Sequence, residues 1–228
     1  MRIVVVGAGV LGASTAFHLA GMGANVTVID AKLDGRATAA GAGIICPWVS
    51  GVEDPVFYRL YAGGGEYYPE LMAALAGAGE TDTGYRRAGA MLVSGDSGEL
   101  GWLERTARQR GAPAMGDVRL LSEKAARALF PPLRPGLGGV FIEGGARVDG
   151  RRLAAALMRA AAARGAVVVD GHAAVVVEAG RVAGVDVSSE RISGERMSGK
   201  RMSGKRIRAD RVVVTAGAWT DPVLQPLG

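Results

Sequence analysis

An α/β fold is predicted for this 228-residue chain by three features. The first is the apolar run Ile3–Val6, which leads through Gly7-Ala8-Gly9-Val10-Leu11-Gly12 into a small-residue helical stretch ending at Gly21. The second is the run Asn25–Ile29, which closes on Asp30, eighteen positions after Gly12. The third lies beyond position 145, where a helix containing Leu153 and Leu157 stops at Gly165 and feeds Val167-Val168-Val169. Helices alternating with short apolar runs build parallel sheets covered on both faces. The prediction is therefore a Rossmann-like parallel sheet joined to a partial antiparallel sheet from the middle of the chain.

Each element follows from local pattern. Residues 2–30 read strand, helix, strand. Residues 31–50 are dominated by small side chains. Pro55 to Leu75 carries Phe57, Leu60, Tyr61, Leu71 and Leu75 at near-helical spacing, with Gly63-Gly64-Gly65 expected to bend or interrupt it. Tyr85–Val93 reads as a strand and Glu99–Arg110 as a helix. Ser122 is an N-cap for a helix that ends before Pro131-Pro132, and Leu137–Ile142 is a further strand. Val167–Val169 is expected to be a buried parallel strand. Ala174–Val177 and Arg181–Val187 read as a β-hairpin or meander carrying the repeat, and Asp210–Val214 is a second buried strand that ends in Thr215-Ala216-Gly217-Ala218-Trp219. Trp219 is expected in the core.

The first motif has a definite chemistry. Gly7 permits a tight turn, Gly9 lets backbone approach a diphosphate, and Gly12 lets the helix pack close to the strand. Free N–H groups and the dipole at the helix N-terminus favour negative charge, and Asp30 is placed to accept ribose hydroxyls. Arg2 followed by an apolar stretch and Gly21–Ala24 also suits a secretory leader. That reading leaves the glycine spacing and the strand ending at Asp30 unexplained, as does a generic glycine-rich turn.

Composition excludes several classes. The net charge is +5, from 27 basic and 22 acidic residues. Seven bases and two acids lie between Glu190 and Arg208, so this stretch accounts for the whole of it and the remaining sequence is neutral. No basic face is left to form a nucleic-acid footprint. The stretch is a five-residue repeat, Arg191-Ile-Ser-Gly-Glu195, Arg196-Met-Ser-Gly-Lys200, Arg201-Met-Ser-Gly-Lys205, whose odd period gives no single-faced strand. It is expected to be a solvated loop. No apolar run reaches the roughly 18 residues of a membrane span. One cysteine, Cys46, and two histidines, His18 and His172, offer no metal-ligand spacing and suit a reducing cytoplasm; the histidines are expected to be surface or packed.

With these residues in hand, the chain resembles the FAD-dependent amino-acid oxidase family, which includes glycine oxidases, sarcosine oxidases and D-amino-acid dehydrogenases. Four segments carry the resemblance: the glycine turn with Asp30; Arg36-Ala-Thr38-Ala-Ala-Gly41-Ala-Gly43-Ile44-Ile45; Ala163-Arg-Gly165-Ala-Val-Val with the strand at Ala174; and Ala209-Asp210-Arg-Val-Val-Val-Thr-Ala216-Gly217-Ala-Trp219. The resemblance implies a Rossmann-like FAD-binding domain of residues 1–45 and 145–228, with 190–208 as its basic repeat loop. Residues 46–144 would be a partial substrate or cap domain.

It also implies roles. Gly7, Gly9, Val10, Leu11 and Gly12 would cradle the diphosphate, and Asp30 and Ala31 would meet the adenosine ribose. Ala37 and Thr38 would line the diphosphate, with an N-cap as the plainer role for Thr38. Ala42, Gly43 and Ile44 would pass the ribityl chain and flavin ring. Ala174 would clasp adenine, and Ala216 and Gly217 would lie beside the diphosphate and ribose. The implied activity is oxidation of the C–N bond of a small amine or amino acid by hydride transfer to FAD. Roughly the last third of the family pattern, including its substrate-carboxylate arginine, has no counterpart among the 228 residues, so no residue takes a catalytic role and a partner chain is one source for the missing part. A cytoplasmic protein, or one peripheral at the inner membrane face, is implied. Two alternatives stay open: a non-catalytic FAD- or ADP-binding remnant and an NAD-dependent dehydrogenase.

Overall fold

The computed structural model describes residues 1–188 and 205–227. In chain order the strands are β1 (Arg2–Val6), β2 (Asn25–Asp30), β3 (Ile44–Ile45), β4 (Arg86–Arg87), β5 (Ala90–Ser94), β6 (Val118–Leu121), β7 (Gly138–Ile142), β8 (Ala146–Arg147), β9 (Val167–Asp170), β10 (His172–Glu178), β11 (Arg181–Ser188), β12 (Lys205–Arg208) and β13 (Arg211–Val214). The helices are α1 (Val10–Gly21), α2 (Ala37–Ala40), α3 (Pro55–Gly77), α4 (Ser97–Arg110), α5 (Glu123–Leu129), α6 (Gly150–Ala163) and α7 (Thr220–Leu224). Two compact units emerge, one of residues 1–41, 75–83 and 150–228, the other of 42–74 and 84–149. The first boundary falls four residues before the one read from sequence, and the end of α3 with its following loop joins the first unit.

In the first unit a parallel sheet runs β13-β1-β2-β9. Successive side chains of a strand point to opposite faces. Val4, Val6 and Ile29 pack on one face against Val175, Val185 and Val187 of a three-stranded antiparallel sheet, β10-β11-β12. Helices α1 and α6 pack on each other, and both bury small residues, Ala13 and Ala16 in α1 and Ala156, Ala160 and Ala161 in α6. The hairpin between β10 and β11 turns at Ala179 (φ 50°) and Gly180 (φ 71°), the paired positive φ angles of a two-residue type I′ turn.

Three expectations for this unit need correction. β9 is parallel to β2 as expected, but it is the edge strand, and Val167 and Val168 are 54% and 48% exposed. Apolar residues in a run do not reveal whether a second neighbour exists. β13 is the opposite edge and only half-buried for the same reason. The end of the repeat, Lys205–Arg208, is strand rather than loop: it pairs with β11, where Arg206 bonds Asp186 and Glu178 and Ile207 packs on the core. The rest of the repeat, 190–204, lies outside the described residues.

The second unit holds two antiparallel three-stranded sheets, β5-β7-β6 and β3-β8-β4. Trp48, Leu100, Leu103, Val140 and Ile142 form its core. α4 starts at Ser97 because the Asp96 side chain accepts from the Gly98 and Glu99 N–H groups. Ser122 caps α5 through Ala125 N–H at 3.3 Å. The expected strand Tyr85–Val93 divides at Ala88-Gly89, whose N–H groups both turn to Gly145 O, with Gly89 at φ 74°. α3 runs through Gly63-Gly64-Gly65 unbroken. A Cβ at Gly65 would stand 2.7 Å from Pro47 Cγ, so this glycine serves a close approach and not a bend.

Leu157 is fully buried, whereas Leu60 is 74% exposed. Leu157→Ala should cost about 2–5 kcal/mol and Leu60→Ala less than about 0.5 kcal/mol in urea denaturation. Equal losses from the two would contradict this placement of the core.

Candidate functional site

The chain positions its site at the carboxyl ends of the parallel strands, where open α/β sheets bind ligands. Gly7 has φ 103°, and a Cβ there would lie 2.6 Å from Thr215 O. A Cβ at Gly12 would come within 1.9 Å of Gly7 O and 2.6 Å of Thr215 Oγ1. Gly9 differs, since the nearest atom to a Cβ there is Thr38 Oγ1 at 3.2 Å. The outer glycines are thus required by packing against backbone, whereas a Cβ at the middle one would meet only a side-chain oxygen, and Gly9 borders the space beside the turn.

That space is a cavity of about 860 Å³. Gly7, Gly9, Val10 and Leu11 form its floor, and Asp30 and Ala31 its side. Ala37 and Thr38 from α2 and Ala216 and Gly217 after β13 complete the expected lining. Gly12 lies behind the turn and does not line it. The wall is made by Gly171, between β9 and β10, and by His172 and Ala173 of β10, with Ala174 one residue beyond. Ala42, Gly43 and Ile44 belong to the other unit.

The polar groups are held by short bonds. Asp30 Oδ1 accepts Ala8 N–H at 3.2 Å, and Oδ2 accepts Arg36 Nη1 at 3.1 Å, with the carboxylate side chain 13% exposed. An ionised carboxylate has about four acceptor sites, so two remain for ligand hydroxyls. Thr38 Oγ1 accepts Val10 N–H at 3.0 Å, capping α1 from outside its own helix. Its hydroxyl proton is still available to an anion. Arg36 also borders a smaller cavity of about 240 Å³ on the other side of the turn, with Arg151.

Several lining residues escaped the sequence reading. Asp170 is the register partner of Asp30, and Gly171 N–H donates to Asp30 O at 3.0 Å. Gly171–Ala173 therefore stand beside the acid, and the strand ending at Asp170 was the available signal. Trp219 is half-buried and lines the cavity, so its expected place in the core is corrected: α7 begins beside it and turns the chain along the cavity wall. His172 stands in the wall too.

In the second unit Gly43 has φ 69°, and a Cβ would sit 1.9 Å from Val148 O, while its own carbonyl accepts Val148 N–H at 2.9 Å. Packing alone thus demands this glycine. Ile44 next to it is 73% exposed. Cys46 follows, half-buried, and burial pushes its thiol from 9.0 up to about 11. Among the described residues no group of three His, Cys, Asp or Glu could hold a metal ion, and no helix is long and apolar enough to cross a membrane.

A parallel sheet with a glycine turn, a helix N-terminus and a strand-end acid defines a dinucleotide-binding domain. The chain belongs to the FAD dependent oxidoreductase (DAO) family, which matches residues 2–228. It is 45% identical over 227 residues to the uncharacterized oxidoreductase YurR of Bacillus subtilis, spanning 99% of this chain and 57% of that protein. It is 30% identical over 234 residues to a glycine oxidase of Pseudomonas putida, covering 100% of this chain and 58% of the oxidase. Among solved structures it is similar to iminodiacetate oxidase (IdaA) from Chelativorans sp. BNC1, with a TM-score of 0.89 and 42% identity over 100% of this chain and 58% of that one. The chain thus spans less than two thirds of the length of these relatives.

Because only the thiolate attacks alkylating reagents, the two-unit rise at Cys46 should slow iodoacetamide at pH 8 about a hundredfold relative to the urea-unfolded chain. Equal rates in the two states would contradict a buried thiol.

Proposed function

We propose that the domain binds FAD through its ADP half and serves an oxidoreductase acting on the C–N bond of a small amine or amino acid. The observation that supports it best is the joining of the glycine turn, Asp30, Thr38 and the α1 N-terminus around one cavity of about 860 Å³. A volume of that order suits a nucleotide. Gly9, Val10 and Leu11 would meet the diphosphate through backbone, and Thr38 would donate its hydroxyl proton to it. Asp30, already oriented by Ala8 N–H and Arg36, would accept the ribose hydroxyls. Ala216 and Gly217 fit the diphosphate end, and the β10 wall around His172 and Ala173, next to Ala174, fits the adenine. Ala42, Gly43 and Ile44 are proposed to face the ribityl chain and ring.

The bound flavin would supply the chemistry, accepting a hydride from the substrate carbon so that the amine leaves as an imine open to hydrolysis. The chain's own residues bind and orient. The groups that enclose the reacting face and hold the substrate carboxylate are proposed to lie outside these 228 residues, in further sequence or on a partner chain. The relatives' names favour an amino acid of the glycine or iminodiacetate kind. A single, half-buried cysteine fits work in a reducing cytoplasm.

Asp30→Ala should weaken FAD by about 1–3 kcal/mol, the scale of a lost charged hydrogen bond, in fluorescence titration of the purified chain. NADPH should bind poorly to the unaltered chain, since Asp30 repels a 2′-phosphate. Unchanged FAD affinity in the variant would remove Asp30 from the site.

A further inference from the structure

The smaller cavity of about 240 Å³ behind the glycine turn has all of its walls in the first unit. Two elements each bring it a cation, Arg36 from the N-cap of α2 and Arg151 from the first turn of α6. Thr38 adds a hydroxyl, and the rest of the lining is glycine, alanine and Met158. Among the described residues no carboxylate lines it.

The walls are fixed by packing. A Cβ at Gly150 would stand 2.6 Å from Thr38 O, so the start of α6 is in close contact with α2. Thr38 is held in turn by Val10 N–H at 3.0 Å. At roughly 30 Å³ for each water, the space holds about eight, enough for a tetrahedral oxyanion and part of its hydration shell. A cleft lined by one sign of charge concentrates counter-ions, and a guanidinium fork matches the oxygens of phosphate. Arg36 gives Asp30 Oδ2 a hydrogen bond from Nη1 at 3.1 Å. A guanidinium has five N–H donors, so that bond does not exhaust it.

We propose that this cavity binds a doubly charged oxyanion of the phosphate or sulfate class, at a site separate from that of the FAD diphosphate. Gly9, Arg36 and Thr38 line both cavities. Thr38 has one hydroxyl proton, and Arg36 is the group that orients Asp30. An oxyanion behind the turn and a diphosphate in front of it draw on the same donors and repel each other. The oxyanion therefore weakens FAD binding, and by linkage FAD weakens the oxyanion by the same factor. This opposition rests on the FAD reading of the larger cavity, whereas the oxyanion site rests on Arg36 and Arg151 alone.

The test is FAD titration of the whole chain at fixed pH and ionic strength, with inorganic phosphate replacing chloride. The Kd for FAD should rise about fivefold or more, the low end of coupling between sites, and then level off. A plateau marks a second site, whereas a rise in proportion to phosphate marks an ion competing inside the diphosphate site. Arg151→Gln should flatten the response without changing the Kd in chloride, and Arg151→Lys should keep part of it. Arg152→Gln removes the neighbouring charge, which faces Asp82 at 3.2 Å, and should respond as the unaltered chain does. No response, a rise without limit, or a plateau that survives Arg151→Gln would overturn the proposal. Failure to bind FAD at all would instead overturn the cofactor reading. Calorimetric titration with phosphate alone would then decide the site: saturable binding lost in Arg151→Gln supports it, and no saturable binding overturns it.

Discussion

Three backbone segments meet where no side chain fits, and the first unit depends on that meeting. The turn after β1, the first turn of α1 and the end of β13 approach so closely that a Cβ at Gly7 or Gly12 would overlap backbone oxygen. Thr215 Oγ1 completes the junction, lying 2.9 Å from Val6 O and 3.0 Å from Gly7 O, within reach of either with its one proton. Residues more than 200 positions apart are thereby locked at the mouth of the cavity. The α1 N-terminus points into that mouth because the helix cannot withdraw from the strand without opening the junction.

The electrostatics follow from the same placement. β2 ends beside the turn, so Asp30 can take Ala8 N–H, and the small residues after it let Arg36 return to the other carboxylate oxygen. An acceptor oriented in this way needs little reorganisation when a hydroxyl arrives. Thr38 plays the corresponding part for the diphosphate end, fixed by Val10 N–H while keeping its own proton to donate.

The first unit was the more legible in the sequence, because its signals are backbone requirements. A glycine spacing, an apolar run and an acid at a strand end have few structural solutions. Legibility failed where the answer depends on distant neighbours. Val167 and Val168 look buried until the sheet is seen to end at β9. The glycines of α3 look like a break until Pro47 is seen against Gly65. Trp219 and His172 look like packing residues until α7 and β10 bring them to the cavity. Ala174 follows directly on His172 and Ala173 of that wall. Gly43 shows the reverse case, since its close approach to Val148 O explains the glycine without any ligand.

The central claim is that this domain recognises the ADP half of the cofactor, and competition binding tests it directly. ADP should bind the purified chain and displace FAD, whereas riboflavin 5′-phosphate, which lacks the adenosine, should neither bind comparably nor compete. Tight binding of riboflavin 5′-phosphate with no binding of ADP would contradict the account.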